Sequence, residues 1–226
     1  MKFLVFVLLG AIVPAFANEY CVKSVEEACG DKGTDSTNCN AIYGSIDSIK
    51  GDLSSLTLQY FMKSFDYLLL SSNFGTHTLN RPGFEKLYRK TSDDAWNEAI
   101  DLIKYQTTRG STMDFEKDIK LVGDNFALNE LHSLSFALDY EKILAKEIHG
   151  IHKKVSHAHS STHAANEEHH YDPEITQYLE EKFIENEAET IRKLSGYTND
   201  LAKLIKSKEP QSSLAIYLFD EYLAKQ

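Results

Sequence analysis

The chain has 226 residues, and its 24 Lys and Arg against 34 Asp and Glu give a formal net charge of −10 at pH 7. This acidic balance argues against a nucleic-acid partner, because binding to the phosphate backbone depends on an excess of Lys and Arg. Without residues 1–17, which are treated next, the length suits one domain of roughly 150–200 residues with a single core.

That first segment, residues 1–17, has the pattern of a secretory signal peptide. Lys2 precedes an apolar run that ends at Val13, and Pro14 then leads to the small-residue site Ala15-Phe16-Ala17. The run is too short for a stop-transfer helix, and an interfacial anchor or a core helix is the alternative. No second long apolar run follows, so we expect cleavage after about Ala17, a secreted mature chain and no membrane span.

Residues 18–46 form a Cys-containing N-terminal extension. Its cysteines are Cys21, Cys29 and Cys39, and the chain has three in all. In an oxidising compartment two of them can pair, which leaves one thiol over. That third thiol is either free or capped, or it forms a disulfide with another subunit.

Helical periodicity governs residues 47–226, where we expect an all-α domain without strands. Four long helices are predicted at about residues 47–74, 82–108, 125–154 and 172–206, with a short fifth helix at about 209–222. The apolar residues that give the first helix its period are Leu53, Leu56, Tyr60, Phe61, Phe65, Leu68 and Leu69. Short connections between the first two helices and between the last two, with one long link between the second and third, describe a four-helix bundle with a long crossover.

Three carboxylates interrupt the apolar stripes of this predicted bundle. Glu98, Glu141 and Glu187 occupy core-facing positions on the second, third and fourth helices. Carboxylates in one core repel each other and lose hydration, so they persist there only if they are protonated, paired with a base or bound to a cation. Because inward carboxylates of facing helices form iron sites in such bundles, iron is the first ligand to consider.

The link between the third and fourth helices is rich in histidine. Its seven histidines are His149, His152, His157, His159, His163, His169 and His170. His149 and His152 stand three residues apart on the end of a helix and could share a metal, and the composition of the whole tract suggests metal binding. The alternative is a solvated insertion that tolerates any polar residue.

Four segments, residues 64–68, 105–110, 137–142 and 213–220, resemble a ferritin subunit in order and at family spacing. The signal peptide, the cysteine-bearing extension and the long link before the fourth helix resemble the light-chain type of secreted insect ferritin. The resemblance implies a ferritin-like four-helix bundle with a short fifth helix. It also implies a 24-subunit shell with a ferritin heavy-chain subunit as partner, and iron as a ferric mineral core. The alternative is a secreted carrier or cytokine-like bundle without a shell, against which the fifth helix argues.

The resemblance also bears on catalysis. Heavy chains of this family carry a di-iron ferroxidase site with a Glu and a Tyr on the first helix, Glu-x-x-His on the second, Glu on the third and Gln on the fourth. The matching positions here are Tyr60, Tyr67, Ala95, Glu98, Glu141 and Glu187. A two-metal site needs a bridging carboxylate and ligands on both sides, so the resemblance implies a subunit that is not an enzyme.

The remaining residues of that region, Tyr67, Glu98, Glu141 and Glu187, could together hold at most one ion. Alternatively they are relics, neutralised by protonation or by a nearby lysine. A ferroxidase that works at this reduced carboxylate site is the second functional hypothesis.

Two further metal regions are implied by the resemblance. Mineral nucleation belongs to acidic residues of the second helix, where Asp93, Asp94 and Asp101 stay acidic but Lys86 and its neighbours reverse the charge; the alternative is an ordinary solvated face. The link between the third and fourth helices approaches the threefold pores of the family, where we expect the seven histidines and Glu180 to bind divalent ions weakly.

For the cysteines we expect Cys21 and Cys39 to pair within the chain and Cys29 to bond to a heavy chain. Closing the loop of about eighteen residues between Cys21 and Cys39 is worth roughly 3 kcal/mol by chain entropy. Cys29 lies near the middle of that loop beside Gly30, where it would be presented outward.

Overall fold

The computed structural model describes residues 25, 39–113, 115, 126–156, 171–206 and 211–226. By its contacts the chain divides into the units Met1–Ile42 and Tyr43–Gln226. All the helices named below belong to the second unit.

The second unit is built from five helices. They are α1 (Ile46–Phe74), α2 (Pro82–Thr108), α3 (Glu130–Ser156), α4 (Pro173–Leu179, a π-helical turn Glu180–Ile184, and Glu185–Leu204) and α5 (Gln211–Ala224). α1 packs along α2, and α3 packs along α4, while α5 lies mainly against α2. No strand occurs in the described ranges. The predicted all-α bundle with a long crossover and a short fifth helix is therefore confirmed.

The residues predicted to begin α4 and to end α2 do so in the structure. The Asp172 Oδ1 atom accepts hydrogen bonds from the backbone N–H of Glu174 at 3.2 Å and of Ile175 at 3.3 Å, and Pro173 follows as the first helical residue. Gly110 has φ = 76° just after α2, in the left-handed region that glycine adopts at little cost.

The start of α3 differs from the prediction. The sequence pattern placed it near residue 125, but the helix begins at Glu130. The reason is Asn129, whose Oδ1 atom accepts a hydrogen bond from the backbone N–H of His132 at 2.9 Å. Asparagine before the first helical turn is a strong cap, and this cap fixes the start five residues later than the periodicity suggested.

The apolar face of α1 also differs from the prediction in its second half. Leu53, Leu56 and Tyr60 are buried as their spacing suggested, whereas Phe65, Leu68 and Leu69 are exposed. The buried stripe continues instead through Lys63, Tyr67, Leu70 and Phe74, in steps of three and four from Tyr60. A lysine therefore lies inside the bundle, at a position where periodicity alone predicts a hydrophobic residue.

Two apolar clusters fill the bundle, and a polar layer lies where they meet. One cluster contains Tyr60 and the other contains Tyr67. The π-helical turn of α4 lies beside this layer, and Leu179, Phe183 and Glu187, which follow one another in steps of four, are all buried. Such widened turns often occur at functional sites. Among the described helices, none combines the length and the apolar character that a membrane crossing requires.

Candidate functional site

The centre of the polar layer is an ion-pair cluster around Lys63. The Lys63 Nζ atom lies 2.8 Å from Glu141 Oε2 and 3.1 Å from Glu187 Oε1. Lys63 and Glu187 are each 4% exposed, and Glu141 is 0% exposed. Three helices thus bring one ammonium group and two carboxylates together at buried positions.

Two tyrosines complete the cluster. The Tyr67 hydroxyl donates to Glu141 Oε1 at 2.5 Å, and the Tyr60 hydroxyl donates to Glu187 Oε1 at 3.1 Å. The Lys63 ammonium also lies 5.2 Å from the centre of the Tyr60 ring, within cation–π range. Burial raises the pKa of both tyrosines well above its ordinary value, and the neighbouring carboxylates add to that effect. Both phenols therefore stay neutral donors.

The charge state of the cluster follows from these contacts. Burial alone lowers the pKa of Lys63, but the charges of Glu141 and Glu187 outweigh burial and raise it above its ordinary value, so the ammonium stays charged. Burial raises the pKa of Glu187 to about 8; Lys63 opposes that rise and Glu141 adds to it. A proton on Glu187 removes one negative charge from the cluster, which lowers the cost of burying it.

Glu98 lies beside this cluster, in the wall of an adjacent pocket. Burial raises the pKa of Glu98 to about 7, while Lys63 opposes the shift. The side chain lines an open pocket of about 410 Å³ between α2 and α4, in which Lys63 and Glu187 form part of the wall. Of the four residues predicted for a residual iron site, Tyr67, Glu141 and Glu187 meet around Lys63 and Glu98 lies beside them. Ala95 is fully buried and supplies no ligand.

Two of the three predicted nucleation residues line that same pocket. Asp94 and Asp101 are in its wall together with Glu98, and α4 contributes Glu187 and Glu189. Asp93 is not in the wall, and its carboxylate pairs with Arg89 at 3.2 Å on the exposed face of α2. Glu189 was not found from the sequence, because only the packing of α4 beside α2 brings it near the aspartates.

The two described histidines of the link do not contact each other. The His149 Nδ1 atom lies 2.7 Å from the backbone oxygen of Ala145 on its own helix. The His152 Nε2 atom lies 2.7 Å from Glu180 Oε1, which joins α3 to the π-helical turn of α4. The other predicted pore histidines, His157, His159, His163, His169 and His170, lie outside the described residues. Within the described ranges, no three His, Cys, Asp or Glu side chains are grouped as a metal site.

Cys39 is disulfide-bonded. Cys21 and Cys29 lie outside the described residues, so the predicted pairing within the chain and the predicted bond to another chain stay predictions.

A second buried ionic cluster, not found from the sequence, surrounds Arg109 at the end of α2. Its guanidinium Nη2 atom lies 2.9 Å from Asp172 Oδ2 and 2.9 Å from the backbone oxygen of Tyr43, and Nη1 pairs with Glu174. Gly44 makes this approach possible, because its φ is +64° and an added Cβ would lie 2.2 Å from Asp172 Oδ2. The cluster joins the segment before α1 to the ends of α2 and α4, away from the Lys63 cluster.

Comparison with known proteins places this geometry in a family. No protein-family model matches the chain. It is 42% identical to a ferritin light chain of Drosophila melanogaster over the full length of both chains. It is 39% identical to a ferritin light chain of Trichoplusia ni, over all of this chain and 99% of that protein.

A solved structure agrees with the sequence relatives. The crystal structure of Trichoplusia ni secreted ferritin matches with a TM-score of 0.76 at 38% identity, covering 92% of this chain and 99% of that chain. The helical bundle, the inward carboxylates and these full-length relatives lead to one conclusion: the chain belongs to the ferritin family.

Proposed function

We propose that this chain is the non-catalytic, light-chain-like subunit of a secreted ferritin shell, which stores or transports ferric iron together with a ferroxidase heavy chain. The observation that carries the proposal is the position of the Lys63 ammonium between Glu141 and Glu187. These two carboxylates are the ones that an iron ion in this part of the bundle would need.

The ammonium group opposes a metal ion at this place. A divalent ion about 4 Å from a lysine charge is repelled by roughly 8 kcal/mol at an effective dielectric constant of 20. Since a two-metal site also needs a bridging carboxylate, which Ala95 cannot supply, the ferroxidase alternative has no complete ligand set here. Iron is the cargo of the shell in this proposal, and the heavy chain oxidises it.

Oxygen consumption tests the catalytic part. Shells assembled from this chain alone should consume oxygen after addition of ferrous iron no faster than buffer, whereas shells that contain a heavy chain should consume it rapidly. Robust turnover by the single-chain shell, lost on Glu141→Ala, would establish the ferroxidase alternative instead.

We assign mineral nucleation to the acidic pocket between α2 and α4. Asp94, Asp101 and Glu98 supply carboxylates from one helix. Lys63 and Lys193 line the same pocket, and Glu189 of α4 pairs with Lys193 at 2.9 Å. Carboxylates that line one pocket raise the local concentration of ferric ions, which favours the start of a solid phase. In mixed shells an Asp94→Asn/Asp101→Asn chain should lengthen the lag before mineral absorbance appears. Asp47→Asn, at an exposed residue outside the pocket, is the matched control, and an equal lag in both variants would remove nucleation from this pocket.

Assembly is supported by apolar side chains that the single chain leaves uncovered. On α1 they are Phe65, Leu68 and Leu69, and on α5 they are Leu214, Tyr217, Leu218 and Tyr222. Large exposed apolar patches mark interaction surfaces, and neighbouring subunits of a shell would bury them. Sizing of the secreted protein tests this, because a particle no heavier than the 25.6 kDa of one uncleaved chain is incompatible with a shell.

The secretory route rests on residues 1–17 and on the secreted relative. The signal-peptide pattern predicts a mature chain that begins near Asn18. Amino-terminal sequencing of protein recovered from the medium tests this, and a sequence beginning at Met1 would contradict it. Co-purification from tissue would report the partner chain, the assembly and the iron together.

A further inference from the structure

Helix α2 begins without a cap of its own. The preceding residue, Arg81, makes no capping hydrogen bond through its side chain, and Pro82 has no N–H to donate. The next two backbone N–H groups, those of Gly83 and Phe84, lie in the first turn and have no partner within the helix. An acceptor from elsewhere in the chain is therefore needed at this helix end.

Asp220 of α5 supplies that acceptor. Its Oδ1 atom accepts a hydrogen bond from the backbone N–H of Phe84 at 3.0 Å. Asp220 is 2% exposed, and it stands 136 positions away in the sequence from Phe84. A carboxylate at a helix N-terminus also interacts favourably with the helix dipole. Asp220 thus acts as the N-terminal cap that the sequence around Arg81 lacks.

The two helices approach each other closely at Gly83. A Cβ atom on Gly83 would lie 2.0 Å from the backbone oxygen of Asp220 and 2.9 Å from the backbone nitrogen of Ala224. In return, the Lys86 Nζ atom donates to the backbone oxygen of Ala224 at 2.8 Å, at the C-terminal end of α5. Each helix therefore caps the other. Glycine at position 83 leaves space for the backbone of α5 to approach α2.

This contact fixes which side of α5 faces the solvent. Phe219 and Leu223 turn inward with Asp220, and the Phe219 ring lies 5.9 Å from the Phe84 ring. The opposite face carries Leu214, Tyr217, Leu218 and Tyr222, which are 48–58% exposed. Rotation of α5 about its axis would bury a different set of side chains and withdraw this apolar face.

We propose that Asp220 is a latch that holds α5 on the start of α2 and thereby sets the position of the apolar face that other subunits contact. Asp220 is a positioning residue. The latch itself depends only on the contacts above, while its consequence for assembly rests on the proposed shell.

Hydrogen exchange of the full mature chain tests the latch. In Asp220→Ala the amides of α5 and the first-turn amides of α2 should exchange on the order of tenfold faster, while those of α3 and α4 keep their rates. Asp220→Asn retains a capping oxygen and should stay close to the wild type, and Glu221→Gln, the neighbouring charge on α5, is the matched control. Unchanged exchange in Asp220→Ala, or equal acceleration in all helices, would overturn the latch.

Gly83→Ala gives an independent test with opposing expectations. Alanine has a higher helix propensity than glycine. If the substitution acted only within α2, the amides of α2 would therefore exchange more slowly. The clash with Asp220 and Ala224 should instead release α5 and speed its exchange. Slower exchange in both helices would contradict the close packing.

Particle size separates the latch from the proposed shell. Asp220→Ala should yield fewer complete shells than Glu221→Gln. If shells form at the wild-type yield although α5 exchanges faster, the role in assembly is overturned. If the wild-type chain forms no shells with or without a heavy chain, the proposed function fails, and the exchange experiment still decides the latch.

Discussion

The Lys63 ammonium lies 2.8 Å from Glu141 Oε2 in a buried polar layer between the two apolar clusters of the bundle. In water such a pair contributes little, but here each charge would be left without solvent if the other were removed. Lys63 therefore supplies a cation from the chain itself to the inward carboxylates Glu141 and Glu187.

Removal of the Lys63 charge should destabilise the chain strongly. Lys63→Met keeps most of the apolar stem but leaves Glu141 and Glu187 without a cation, which costs about 3–5 kcal/mol for a buried pair. Thermal unfolding should show a clearly lower Tm, and Lys50→Met on the exposed face of α1 is the control. Adding Glu141→Gln to Lys63→Met should restore part of the loss, because the unpaired charge is then gone. A Lys63→Met chain as stable as the control would mean that the pair is not important for the fold.

The Glu187 pKa predicts a loss of stability as the pH rises. Its value of about 8 in the folded chain exceeds the ordinary 4.5, so the folded state holds a proton that the unfolded state has released. The stabilisation is fully present below about pH 4.5 and is lost between there and about pH 8, by at most roughly 1.4 kcal/mol per pH unit. Tm measured from pH 5 to 9 should fall in the wild type and fall less in Glu187→Gln. Glu189→Gln, at an exposed neighbour, should keep the wild-type slope.

The Arg109 cluster should be as sensitive as the Lys63 cluster, although it lies far from any proposed iron site. Arg109 is 2% exposed and bonds to Asp172 and Tyr43, with the Tyr43 ring centre 4.1 Å from the guanidinium. Arg109→Met should lower the free energy of unfolding by about 3–5 kcal/mol, and Arg109→Lys should recover little, because one ammonium cannot replace a planar fork. Arg89→Met, at an exposed i,i+4 pair, should stay within about 0.5 kcal/mol of the wild type.

Much of this architecture could be predicted from the sequence, because helix periodicity and capping are local properties. Pro82 begins α2, Gly110 follows its end with a positive φ, and Asp172 caps the start of α4, as their conformational preferences predict. The inward positions of Glu141 and Glu187 also followed from steps of three and four. The start of α3 was predicted too early, since periodicity continued past the true cap at Asn129.

The contacts that decide the chemistry could not be predicted, because they join distant parts of the chain. Periodicity predicted that Phe65, Leu68 and Leu69 lie on the buried face of the first helix with Leu53. In the structure their side chains are exposed. Lys63 went unnoticed because a single lysine between apolar residues usually points to solvent. Its burial depends on carboxylates from two other helices, which no local pattern reveals.

The histidine link should bind divalent ions weakly in the assembled shell. His152 already lies against Glu180, and a zinc or cobalt ion prefers neutral imidazole together with carboxylate. Binding should weaken as the pH falls through the histidine range near 6.5, because protonated rings cannot ligate. Zinc titration should show weaker binding when His157, His159, His163, His169 and His170 are replaced by Ser. Equal zinc binding and equal iron uptake in both chains would make the tract an inert insertion.

The cysteines should link this chain covalently to a heavy chain. A shell of one subunit type needs no covalent pairing, whereas a shell that alternates two types gains from a bond that only unlike chains form. Cys39 is disulfide-bonded, and we propose Cys21 as its partner and Cys29 as the bridge to the heavy chain. On a non-reducing gel the secreted protein should run as a heterodimer that thiol separates, and Cys29→Ser should run as a monomer under both conditions. If Cys29→Ser stays dimeric while Cys21→Ser does not, the assignment is wrong. The absence of a dimer from every sample, the wild type included, would contradict the covalent link itself.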